Sequence, residues 1–99
     1  MSVADVFRAA KYLLRTPDLW VTSAHDLRED KHCMLTAIMT QQTSKWKDKE
    51  DAELMLRRFL RRDPRYVGSI ANFNDHHATH REILQIFDKL IEMSENEKT

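Results

Sequence analysis

Two short segments carry the side chains best suited to chemistry. Asn74-Asp75-His76-His77, followed by His80, sets a carboxamide, a carboxylate and three imidazoles within seven residues. His32-Cys33 places an imidazole beside the only thiol. A carboxylate among imidazoles can relay protons or hold a metal ion, and a thiol beside a base can act as a nucleophile. Each group also has a plainer reading. Asn and Asp regularly bond backbone in turns, so Asn74 and Asp75 are expected to hold the loop ahead of the last helix. His76 and His77 precede that helix and do not share a face with His80, and the sequence has neither paired cysteines nor the Glu placement of a zinc protease helix. No metal or cofactor is expected, and His76, His77 and His80 are the ligands to test, with His25 elsewhere in the chain. Cys33 falls in the most apolar stretch, and on a helix His32 would point about 100° away from it. The thiol is therefore read as a small buried hydrophobe, and no catalytic residue is assigned.

The second constellation is basic. Arg57, Arg58, Arg61, Arg62 and Arg65 recur at a spacing that spreads them over one arc of a helix, opposite Ala52, Met55, Leu56 and Phe59. Such an arc is either a solvated face assisted by the helix dipole and pairs such as Glu53–Arg57, or a dock for phosphates or an acidic partner. Tyr66 is its aromatic companion. Trp46, between Lys45 and Lys47, is read as an exposed contact in a connector, and Trp20 as a seal over the core.

The elements that position these groups follow from spacing. Ser2 caps a first helix whose stripe is Val3, Val6, Phe7, Ala10, Leu13 and Leu14, and Pro17 ends it. Residues 17–30 form a connector. Asp30 is expected to cap a second helix over Lys31 to Gln42, buried on several sides. A third is expected over Asp48 to Arg62, acids early and arginines late, stopped by Pro64. Pro64 to Ala78 reads as irregular, with a short turn through Ser69–Asn72. Thr79 and Glu82 form a capping box for a last helix over His80 to Met93.

Composition agrees. The chain has 99 residues, one Gly, two Pro and 32% charged residues, mostly strong helix formers. The reading is all-α: an irregular bundle of four main helices plus one or two short turns, one domain over 1–94 with a frayed polar tail at 95–99. One cysteine excludes a disulfide framework and suits a reducing, cytoplasmic setting. No apolar run has the length of a membrane span, and the N-terminus lacks a signal pattern. Sixteen basic residues balance sixteen acidic ones, which removes the usual electrostatic prompt for nucleic acid or membrane.

Cys33-Met34-Leu35-Thr36-Ala37-Ile38, and Phe73-Asn74-Asp75 followed by Thr79, carry a resemblance. The chain resembles an uncharacterised family of small helical bacterial and phage proteins with a Cys-Leu-x-Gly-Ala-Leu-like segment and a Trp-Asn-Asp motif before a Thr-started final helix. Thr36 stands in place of Gly, and Phe73 in place of Trp. The resemblance implies the helical fold and assigns no activity.

The function expected is a non-enzymatic interaction module that presents a helical, Arg-rich surface to a protein, with a homodimer allowed. Its contact residues are Trp46, Arg57, Arg58, Arg61, Arg62, Arg65 and Tyr66, while Cys33, Asn74, Asp75 and Thr79 are structural. A phage-encoded inhibitor or adaptor is its concrete form. The alternatives are a small metal-dependent or hydrolytic enzyme using Asp75 with His76, His77 or His80, and a nucleic-acid-binding accessory protein using the Arg arc.

Overall fold

The computed structural model describes residues 2–22, 32–42 and 44–96. Helix α1 covers Val3–Leu13, a 3-10 turn follows at Pro17–Leu19, and α2 covers Met34–Met39. Helices α3 (Trp46–Leu60), α4 (Ile70–His76) and α5 (His80–Asn96) complete the chain. Among the described residues there is no strand, only a single parallel bridge between Trp20 and His32. The all-α expectation holds.

At the start of α1, Ser2 Oγ accepts from the Asp5 amide at 3.2 Å, and Asp5 Oδ2 accepts from the Ser2 amide at 3.1 Å. This reciprocal box satisfies amides that a helix leaves without partners. Val6, Phe7, Ala10 and Leu14 are buried, so the stripe drawn from spacing is the core face of α1. That face packs chiefly on α5, where Phe7 and Phe87 meet with ring centroids 6.1 Å apart. Met34, Ala37 and Ile38 of α2, Ala52, Leu56 and Leu60 of α3, and Ile70 and Phe73 of α4 close the same core.

Four boundaries differ from expectation. The second helix is short, because Cys33 is extended (φ −90°, ψ 178°) and caps it. Its Sγ accepts from the Thr36 amide at 3.5 Å, and Thr36 Oγ1 accepts from the Cys33 amide at 2.9 Å. Cys33 is thus a half-buried cap and not a core residue. Asp30 and Lys31, the expected cap and first residue, lie outside the described residues. The third helix begins two residues early, which puts Trp46 on its first turn instead of in a connector, and ends at Leu60.

Residues 70–76 form α4 where an irregular segment was expected. Asn, Asp and His are weak helix formers, but Ile70, Phe73 and Asn74 are buried at helical spacing, and tertiary packing overrides propensity. Gly68 turns the chain at φ +84°, and the Ser69 hydroxyl accepts from the Asn72 amide at 3.1 Å. The last helix runs to Asn96 instead of stopping at Met93. Ser94 is buried, its hydroxyl donating to the Leu90 carbonyl at 2.8 Å, so the polar stretch from Ser94 does not fray at once. Residues 97–99 lie outside the described set.

Phe87 is the largest α5 side chain with no exposure and stacks on α1. Phe87→Ala is expected to destabilise the fold by about 3–5 kcal/mol, read from the urea midpoint of unfolding, without loss of helicity in the surviving folded fraction.

Candidate functional site

The Asn74-Asp75 pair sits on α4, not in a loop, and Asn74 is fully buried. Asn74 Oδ1 accepts from Trp20 Nε1 at 2.8 Å and from the Met34 amide at 3.1 Å. Asn74 Nδ2 donates to the Val21 carbonyl at 2.9 Å and to Asp75 Oδ1 at 3.0 Å. Both lone pairs and both protons of the carboxamide are therefore in use. The bonds reach far along the chain, to the connector after α1 and to the first turn of α2. Asn74 was expected to bond the backbone of its own loop; the backbone it binds is instead remote. Beside it, the Val21 amide donates to the His32 carbonyl at 3.0 Å, and the His32 amide to the Leu19 carbonyl at 2.9 Å.

His76 and His77 meet edge-on with ring centroids 6.4 Å apart, and His80 packs elsewhere. His80 Nε2 lies 2.6 Å from the Leu14 carbonyl, and its ring packs on Trp20 at 6.0 Å. His77 packs on Phe73 at 6.2 Å, and His76 is exposed. Among the described residues, no three His, Cys, Asp or Glu side chains gather to hold a metal ion. His25 lies outside those residues. Thr79 caps α5 by accepting from the Glu82 amide at 3.2 Å, and its hydroxyl donates to Glu82 Oε1 at 3.3 Å.

Arg65 departs from its expected role. Its guanidinium donates to the His77 carbonyl at 2.7 Å, to Glu82 Oε2 at 2.8 Å and to Asp63 Oδ2 at 2.9 Å. Its carbon also sits 5.2 Å from the Phe73 ring centroid. Arg65 therefore clamps the turn after α3 to the ends of α4 and α5, which leaves its donors occupied. Tyr66 is half-buried against the core, and Arg57 pairs with Glu53 one turn earlier on α3.

Arg58, Arg61 and Arg62 remain. All three are exposed, and none has an ion-pair partner among the described residues. Helical geometry divides the arc into two rows, Arg57 with Arg61 and Arg58 with Arg62, about 100° apart. Each row borders a furrow. Arg58 and Arg62 line a groove of about 440 Å³ together with Val3, Asp51, Leu54, Met55, Phe59 and Met93. Arg57 and Arg61 border a shallower hollow of about 230 Å³ with Leu35, Tyr66 and Ile70.

Leu54, in the lining of the first groove, is 42% exposed, and Trp46 is 60% exposed at the head of the same helix. Lys49 Nζ lies 5.3 Å from the Trp46 ring centroid and donates to the Gln41 carbonyl at 2.9 Å, which ties the start of α3 to the chain leaving α2. Leu54 and Met93 went unassigned in the sequence reading. Leu54 lies opposite the Ala52/Leu56/Leu60 stripe, so its spacing already marked it as outward. The groove also needs the packing of α1, α3 and α5, which spacing alone does not give.

An all-α protein is thus defined, with its buried polar groups committed to holding the chain and the arginines at the end of α3 turned outward. The chain belongs to a family of unknown function, DUF6197, which it matches over residues 1–93. That match spans both segments that carried the resemblance. No curated protein and no solved structure matches it. No helix among the described residues is long and apolar enough to cross a membrane.

Two predictions follow from the internal bonds. Asn74→Ala removes the acceptor for Trp20 Nε1 and the Met34 amide. At roughly 1–3 kcal/mol for each donor left unpaired, the loss is expected to be about 2–4 kcal/mol in urea unfolding. Hydrogen bonds from Arg65 hold the Glu82 and Asp63 carboxyls below their ordinary values of 4.5 and 3.8. A carboxylate held low stabilises the fold above its unfolded pKa and loses that effect as pH falls through the folded value. Below about pH 4.5 the wild-type urea midpoint should therefore fall more steeply than that of Arg65→Gln, with the two slopes alike at pH 6–8.

Proposed function

We propose that this protein is a non-enzymatic interaction module whose contact face is the outward side of α3, and that its partner is an acidic protein segment. The observation that carries the reading is the setting of Arg58 and Arg62. Two exposed guanidiniums without ionic partners among the described residues line a groove with apolar side chains, exposed Leu54 among them. Arg and Trp are enriched among residues that dominate binding, and a groove lined by apolar and charged side chains suits an amphipathic helix. Trp46, Arg58, Arg61 and Arg62 are the contact residues, with Arg57 assisting and Tyr66 at the margin of the second hollow. Asn74, Arg65 and His80 are occupied in internal bonds, which favours a binding role over catalysis. Action in a reducing cytoplasm, as a phage-encoded inhibitor or adaptor on a host protein, is the concrete form of this reading.

The test uses the full chain and a labelled amphipathic helical peptide built from Glu and Leu, followed by fluorescence anisotropy, with a DNA duplex of similar length as comparison. The peptide should bind with an affinity that falls with salt, and R58E/R62E should weaken it by roughly tenfold or more. Peptide binding indifferent to the reversal would refute this contact face. Tighter binding to the duplex, with a steep salt slope, would move the assignment to nucleic acid.

A further inference from the structure

We infer that α3 pairs with α3 of a second copy of this chain, antiparallel, about a two-fold axis through Leu54. The inference rests on the reading of α3 as the contact face and names one partner for it. Apart from Lys47 at its far end, charges on this face divide by sign around Leu54. Glu50 and Asp51 come before it, and Arg57, Arg58, Arg61 and Arg62 after it. At 100° per residue, Glu50 lies about 40° to one side of Leu54 and Arg58 about 40° to the other, each four residues away. Asp51 and Arg57 lie three residues away along the opposite diagonal, so a crossing that joins Glu50 to Arg58 keeps them apart.

With the two helices crossing at about 50° along the Glu50–Leu54–Arg58 row, a two-fold rotation at Leu54 sets Glu50 of one copy against Arg58 of the other. This contact occurs twice, and the two Leu54 side chains meet at the centre. An isologous interface requires a patch that is its own complement under this operation. Parallel pairing of the same face would instead set the arginine halves against each other. Arg57 already holds Glu53, so the Glu50–Arg58 contact decides the pairing.

The same rotation brings Lys47 toward Arg61, with like charge. Both lie seven residues from the axis, about 10 Å along the helix, where helices crossing at about 50° have already diverged. Two single helices cover less than the roughly 800 Å² per partner of a standard interface, so the dimer is weak and forms at high concentration.

Sedimentation velocity on the full chain, across roughly a fiftyfold concentration range at low salt, tests the proposal. The wild type should shift from monomer to dimer as concentration rises, and added salt should weaken the shift. E50R and R58E should each weaken association by roughly tenfold or more, since each turns both central contacts repulsive. An equimolar mixture of the two variants should recover it, because both contacts in the mixed dimer are again opposite in sign. A monomer at every concentration, variants that associate like the wild type, or a mixture no tighter than its parts would each overturn the pairing. The salt series needs no variant, and Leu54→Ser supplies one without a charge change, expected to weaken the dimer. A monomeric chain that still binds the Glu/Leu peptide through Arg58 and Arg62 overturns self-pairing alone. A dimer indifferent to the peptide overturns only the acidic-partner reading.

Discussion

The Asn74 carboxamide makes four hydrogen bonds inside the protein, and much of the remaining architecture depends on them. Its oxygen faces an indole and a helix-start amide, and its nitrogen faces a backbone carbonyl more than fifty residues away in sequence. Only a group with two acceptor sites and two donors can meet that arrangement, and a carboxylate of the same shape would set negative charge against the Val21 carbonyl. The bonds bring the Trp20 segment, the first turn of α2 and the middle of α4 to one point. Trp20, so placed, carries His80 on its ring and thereby touches the first turn of α5.

Arg65 repeats the device from the solvent side. It bonds a carbonyl at the end of α4, a carboxylate on the first turn of α5 and Asp63 in the turn behind α3. One clamp is buried and neutral, the other exposed and ionic, and water weakens the second far more than the first. Surface pairs such as Arg8–Glu95 and Lys11–Asp88 join α1 to α5 and add little beyond the apolar packing beneath them. These polar side chains hold the chain's course, whereas Arg58, Arg61 and Arg62 at the end of α3 have no ion-pair partner among the described residues.

The core was legible from spacing wherever a helix was long. Val6, Phe7, Ala10 and Leu14 of α1 and Ala52 and Leu56 of α3 are buried, with Val3, Leu13, Met55 and Phe59 half-buried at the margins. Apolar side chains at intervals of three and four have one way to leave water. The short helices were not legible. At α2, the apolar run suggested a helix reaching back to Lys31, while a Cys-Thr capping box stops it at Met34. At α4, weak helix formers concealed a helix that exists because Ile70, Phe73 and Asn74 have core positions to fill. The site was half legible. The arginine arc could be drawn from sequence, but the withdrawal of Arg65 depends on contacts up to seventeen residues away in the chain. The groove depends on three helices meeting.

The division of the arginines into two rows governs what the α3 face can hold. With a furrow on each side of the arginines, a flat surface meets the guanidiniums and fills neither furrow. A cylinder as wide as an α-helix can either settle into one furrow or cross the arginines obliquely. Discrimination by this face is therefore a matter of curvature as well as of charge.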